Sequence, residues 1–185
     1  MPQLNGETWL GVMHEVELLR LPLLFGRSHA DVTLSEGGAV ATRGVVAGAT
    51  RAATSIVVMR SGRHFVQFTV VEGDEILFGV IRADWDSEGG VNLEDVDGHC
   101  FYCTDDGLRF PGFNDWEGMQ TAEEPGDRIG LLLDLDQGSM TVWKDEEKLG
   151  VMVAEGLSGP YCWAVEMYES GESVGIESAA LPADA

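Results

Sequence analysis

Side chains able to do chemistry gather at a few places along the chain. Arg82, Asp84, Trp85 and Asp86 stand where an apolar run gives way to an acidic, glycine-rich stretch. Asp115, Trp116 and Glu117 stand in a second such stretch, Tyr102 lies on a short apolar run between them, and Met167, Tyr168 and Glu169 end a later run. Aromatic rings give large contact area at low entropic cost, and Arg adds a fork of donors. This combination suits a surface that holds a peptide or a partner protein. Flanking acids would favour a basic peptide and speed its arrival. The nominated ligand-binding residues are therefore Arg82, Asp84, Trp85, Asp86, Tyr102, Asp115, Trp116, Tyr168 and Glu169. Each of the two tryptophans has an alternative role, pinning its loop onto the core, and Arg82 has the alternative of a structural ion pair with a neighbouring acid.

Two metal readings compete with this. From Asp84 to Asp95 the chain follows a calcium-loop register, with acids Asp84, Asp86, Glu88 and Asp95 at positions 1, 3, 5 and 12, Gly89 at position 6 and Val91 at position 8. Glu at position 5 and the short Asp at position 12 fit poorly, and a strand rather than a helix precedes the loop. A solvated acidic loop is the alternative. His99-Cys100-Phe101-Tyr102-Cys103 suggests zinc, but zinc needs four convergent ligands. On a strand Cys100 and Cys103 point to opposite faces, so they read as small buried hydrophobes. No metal and no cofactor is expected.

Enzyme signatures are missing. The sequence has no Gly-x-Ser-x-Gly elbow, phosphate-binding glycine loop or dinucleotide fingerprint. A glycosidase would need two facing carboxylates in an aromatic-lined cleft. With 32 acids in 185 residues, carboxylate pairs arise without design. The expectation is a non-catalytic protein, with a calcium-dependent or glycan-binding lectin-like sandwich as the alternative and a glycosidase third.

Charge narrows the partner. There are 32 acidic and 11 basic side chains, a formal net charge of −21. Residues 1–60 hold five of each, so the whole excess lies in residues 61–185. Such a surface repels phosphate backbones and anionic bilayers, so neither nucleic acid nor membrane is an expected partner. A protein or peptide is, preferably a basic one. No apolar run nears the roughly 20 residues of a membrane span. The first residues lack a basic leader, and the three cysteines suggest no disulfide framework. An intracellular, cytoplasmic protein is expected.

The elements that must position these residues are short. Val12, Val16, Leu19 and Leu23 recur at helical spacing and predict a short helix around residues 12–20 within an N-terminal docking segment, residues 1–30. From residue 31 β-branched and aromatic runs alternate with Gly and Asp clusters. Strands are expected near 31–34, 38–43, 53–59, 63–72, 74–82, 100–104, 128–135, 139–144, 148–154, 160–168 and 172–177. Glu72-Gly73-Asp74 reads as a hairpin turn. So many short strands predict an all-β sandwich of two antiparallel sheets over residues 31–177. Residues 83–99 and 105–126 read as long loops, and residues 178–185 as a frayed end.

The later half resembles a known family. Gly126-Asp127-Arg128-Ile129-Gly130, the turn Asp134-Leu135-Asp136, Val142-Trp143-Lys144, Leu149-Gly150 and Pro160-Tyr161-Cys162-Trp163 are similar, in order and spacing, to SPRY domains. Ser61 to Phe68 and Phe78-Gly79-Val80-Ile81-Arg82 resemble earlier strands of that family, so the likeness covers about residues 35–177. It implies a bent β-sandwich and a protein-interaction module that holds its ligand in loops at one edge. One departure stands out. Where the family has Asn-Gly after the aromatic-Lys pair, this chain has Asp145-Glu146, which predicts a longer loop in place of a two-residue turn.

Overall fold

The computed structural model describes residues 22–46, 50–86 and 98–185. Two antiparallel sheets face each other. The first runs, in spatial order, through β1 (Phe25–Ser28), β4 (Arg51–Ser55), β12 (Tyr161–Met167), β6 (Ile76–Arg82), β7 (Cys100–Cys103) and β8 (Arg109–Phe110). The second runs through β11 (Glu147–Val153), β10 (Ser139–Lys144), β9 (Arg128–Asp134), β5 (Arg63–Glu72), β13 (Ser173–Glu177), β3 (Val40–Arg43) and β2 (Val32–Ser35).

Period-two patterning explains the second sheet. Val66, Phe68 and Val70 of β5 and Ile129, Leu131 and Leu133 of β9 point inward, and all are fully buried in the main core. Phe68 stacks on Phe78 across the sandwich at 4.9 Å and meets Trp163 edge-on at 6.5 Å, joining the two sheets at the centre. Most of β6 and all of β12 are buried without alternation, because the first sheet is covered on both faces. Leu77, Ile81, Phe101, Cys103, Phe110 and Ala164 form a second apolar cluster apart from the main core. Cys100 belongs to the main core and Cys103 to this second cluster, as their odd spacing requires.

Each stretch read as a strand corresponds to one here, and two strands are added. β1 lies inside the expected docking segment and β8 inside an expected loop. Phe25-Gly26-Arg27-Ser28 lacks apolar alternation, and it forms because it can pair with β4 across a bulge. The sandwich therefore begins earlier than residue 31. The expected strand 53–59 stops at Ser55, where its pairing with β1 ends, and Ile56, Val57 and Val58 continue as exposed chain. The helix expected around 12–20 lies outside the described residues.

The β10–β11 hairpin corrects the expected longer loop. Lys144 pairs with Glu147, so only Asp145 and Glu146 turn the chain, at φ of 48° and 74°. Both sit in the left-handed region that Asn-Gly would fill without strain. The Asp145 amide donates to the Arg128 carbonyl at 2.9 Å, the Arg128 amide donates to Asp145 Oδ1 at 3.1 Å, and the Arg128 guanidinium meets Glu146 at 3.1 Å. These contacts hold the turn in place of glycine.

Candidate functional site

The strand register decides which nominated residues can act together. Along β12 Tyr161 faces Arg82 and Met167 faces Ile76. Arg82 and the residues after it therefore leave the sheet at one end, and Tyr168 and Glu169 leave at the other. The intervening strand separates them by about 20 Å at 3.3 Å per residue. The nominated residues do not form one surface.

At the first end, Arg82 donates to the Ser158 carbonyl and lies 5.1 Å over the Tyr161 ring. Asp84 lines a cleft of about 530 Å³ with Val58, Arg60, Arg82 and Pro160. Trp85 is half-buried against the second apolar cluster and meets the His99 ring at 5.2 Å, while Asp86 is exposed. Trp85 thus takes the loop-pinning role open to it. Glu88 and Asp95, half of the calcium register, lie outside the described residues. No group of three His, Cys, Asp or Glu able to hold a metal occurs among the described residues.

Tyr102 and Trp116 are not free for a partner either. Tyr102 is fully buried, and its hydroxyl donates to the Gln120 carbonyl. Trp116 packs on the main core, donates from Nε1 to the Gly107 carbonyl at 2.7 Å and meets the Tyr102 ring at 6.5 Å. Together they fasten the long loop between β7 and β9. Asp115 and Glu117 beside them are exposed.

The other end carries the electrostatic signal. Glu72-Gly73-Asp74 turns β5 into β6, Glu169 to Glu172 turns β12 into β13, and Glu123 and Pro125 approach from the long loop. They enclose a cleft of about 360 Å³ lined by Glu72, Asp74, Glu123, Glu169 and Glu172, with no Lys or Arg among its lining residues. Glu172 is only 2% exposed. Its Oε2 accepts the amides of Tyr168 and Glu169 at 2.6 and 2.8 Å, while Oε1 has no hydrogen-bond partner. Its pKa is raised to about 7, chiefly by burial and further by the charges of Glu169 and Asp74, against the lowering pull of the Glu169 and Glu75 amides. Glu75 is raised as well, first by burial and then by Asp105, Glu169, Asp74 and Asp106.

The scaffold holds this cleft firmly. Gly73 has φ of 106°, and a Cβ there would meet Glu172 Cγ at 2.5 Å, so only glycine permits the two turns to approach. Thr104 is fully buried; its Oγ1 accepts the Ile76 amide and donates to the Asp74 carbonyl. Arg43, 3% exposed, donates to the Met167 carbonyl at 2.7 Å, and its own amide donates to the Glu172 carbonyl at 2.8 Å. Of the nominated residues, exposed Glu169 lines this site, and Tyr168 reaches it only through its amide while its ring packs on the second apolar cluster. Glu72, Asp74, Glu75, Asp105, Asp106, Glu123 and Glu172 were missed. Their signal was the acid density of turns that hairpin order sends to one end of the sandwich.

No family model matches this sequence, and no curated protein does. Solved structures do match. The SPRY domain of human HERC1 is similar with a TM-score of 0.67 and 19% identity, over 81% of this chain and 94% of that one. A human SPRY domain gives 0.64 and 16%, over 82% and 98%. The PSpry domain of TRIM65 gives 0.66 and 12%, over 90% and 98%. At these identities the likeness is one of fold: the chain has the SPRY-domain fold, a β-sandwich of two antiparallel sheets. Among the described residues no helix is long and apolar enough to cross a membrane.

Proposed function

We propose that this chain is a non-catalytic protein-interaction module, and that it receives a basic segment of a partner protein in the acidic cleft between the β5–β6 turn and the β12–β13 loop. One observation carries the reading: five carboxylates line a single cleft with no cationic side chain among them. Like charges held this close repel one another, and a guanidinium or ammonium entering the cleft relieves that repulsion. The SPRY-like fold supports a recognition role over catalysis. Glu169 remains in the proposed site, and the Tyr168 amide helps to hold Glu172 there. Arg82, Asp84, Trp85 and Asp86 stand at the far end and take no part in it.

The test is fluorescence anisotropy with a labelled peptide of alternating Arg and Gly, using the full chain. Wild type is compared with Asp74→Asn, Glu123→Gln, Glu169→Gln combined, and with Arg82→Gln, Asp84→Asn combined. The first set should weaken binding at least about tenfold, and the second should leave it unchanged. Affinity should also fall as salt is raised from about 50 to about 300 mM, because the pairs are partly solvated. A triple variant that binds as tightly as wild type would refute the assignment.

A further inference from the structure

Trp143 sits where a sheet normally meets water. Met140 and Val142 of β10 point into the main core, so Trp143, one residue further, points away from it. Across the ladder it faces Gly130, and Phe65 meets its ring edge-on at 5.7 Å. Yet Trp143 is only 1% exposed.

What covers it is the segment after β13. Ala179 to Asp184 forms one wall of a cavity of about 520 Å³, with Phe65, Arg128, Gly130 and Trp143 on the other. The attachment is narrow. Trp143 Nε1 donates to Asp184 Oδ1 at 3.2 Å, and Lys148 Nζ donates to the Asp184 carbonyl at 2.9 Å while lying 5.4 Å from the Trp143 ring centre. Beside one exposed leucine the segment brings small side chains and one acid, and it pairs with no strand of the sheet. A second cavity of about 540 Å³ continues on the other side of Trp143, past Arg63, Thr141 and Val151.

This face is balanced in charge where the molecule as a whole is strongly acidic: Asp134, Glu146 and Asp184 line the same two cavities as three cations. In a chain of net charge −21, both lysines lie on or beside the β10–β11 hairpin, and Arg63, Arg128 and Lys148 line these two cavities. An exposed acid tied by one indole N–H and one ammonium is held weakly. Such a cover can be exchanged.

We propose that the face of the seven-stranded sheet centred on Trp143 is a second peptide-binding groove, distinct from the acidic cleft. It takes a short segment of a partner protein built of small residues around an acidic side chain. Leu181 to Ala185 is the internal stand-in that occupies the groove until such a segment displaces it. Trp143 Nε1 recognises the carboxylate, and Lys148 recognises the neighbouring main-chain carbonyl.

The Trp143 indole N–H gives a direct readout. Its cross-peak in a ¹H–¹⁵N correlation spectrum, assigned with Trp143→Phe, should move in the full-length Asp184→Ala variant, because the carboxylate acceptor is gone. Adding the capped peptide Leu-Pro-Ala-Asp-Ala should return the peak toward its wild-type position. The same peptide with Asn for Asp should not. Because the internal segment competes at roughly millimolar effective concentration, wild type should bind the peptide at least about tenfold more weakly than Asp184→Ala. Adding Lys148→Glu to Asp184→Ala should abolish the response. Asp184 is exposed, so fold loss is not at issue, and unchanged thermal melting verifies it. An indole peak indifferent to Asp184→Ala, or one that the Asp and Asn peptides restore equally or not at all, would overturn the proposal.

Discussion

Replacing Glu172 with Gln should make the protein's stability less sensitive to pH. The folded carboxyl holds its proton to about pH 7, whereas an unfolded glutamate releases it near 4.5. Between those values the folded chain binds a proton that the unfolded chain has lost, so wild-type stability falls as pH rises through this window. The loss is at most about 3 kcal/mol, since each unit of difference carries about 1.4 kcal/mol. Its physical source is the burial of a carboxylate beside Glu169 and Asp74, offset in part by the amides of Tyr168 and Glu169. Gln keeps an oxygen for those amides and never ionises. Urea unfolding of both chains at pH 4.5 and pH 8 isolates the effect, because every other carboxylate is common to the two. The variant's advantage should grow from the lower pH to the higher. At about 2–4 °C per kcal/mol for a chain of this size, the gap in Tm should open by no more than about 12 °C. A gap that is constant, or that shrinks with rising pH, would show that Glu172 ionises at ordinary pH and that its amide bonds outweigh its burial.

Other expectations follow from the same structure. Glu146→Gly places glycine at φ of 74° and removes only an exposed ion pair with Arg128, so Tm should rise by a few degrees, on the order of 1 kcal/mol, in a thermal melt. Trp116→Ala removes a ring packed on the core and its bond to the Gly107 carbonyl, and should lower stability by about 3 kcal/mol in urea unfolding, whereas Asp115→Ala beside it should change it by less than about 0.5 kcal/mol. Cys100 and Cys103 are buried, and desolvation pushes both thiols up to about 12, so mass spectrometry after iodoacetamide at pH 8 should find them unmodified in the native protein and alkylated in urea.

The strands were legible because they are short runs of β-branched and aromatic residues bounded by turn residues, some with period two and others apolar throughout. The hairpin from Arg63 to Arg82 shows this: β5 alternates cleanly and the turn residues announce themselves. Legibility failed where pairing, not pattern, makes the strand. Phe25–Ser28 has no alternation and is a strand only because β4 lies beside it, while Ile56-Val57-Val58 has strand composition but belongs to no strand ladder. The Asp145-Glu146 turn failed for a related reason. Sequence preference weighs the left-handed strain of two non-glycine residues, but the compensating contacts come from Arg128, distant in the chain.

The site was harder to read, because composition treats a tryptophan as available wherever it falls. Trp85 and Trp116 stood in acidic loops and looked like contact residues, yet each is the apolar anchor that lets its loop remain polar elsewhere. A long loop carries many backbone groups that must stay near water, so a single buried ring is an economical way to fix it. The acids that converge are those of turns, and turns converge by strand order. Met167 lies beside Ile76 and Cys103 beside Leu77 in the ladders, so Glu72-Gly73-Asp74, Asp105-Asp106 and Glu169 to Glu172 meet although nearly 100 positions separate the first from the last. The same rule sends Arg82 to the opposite end. For a protein of this architecture, charge summed over the connections that strand register brings to one end is therefore a better guide to a binding end than the local mixture of aromatic and charged residues in any one loop.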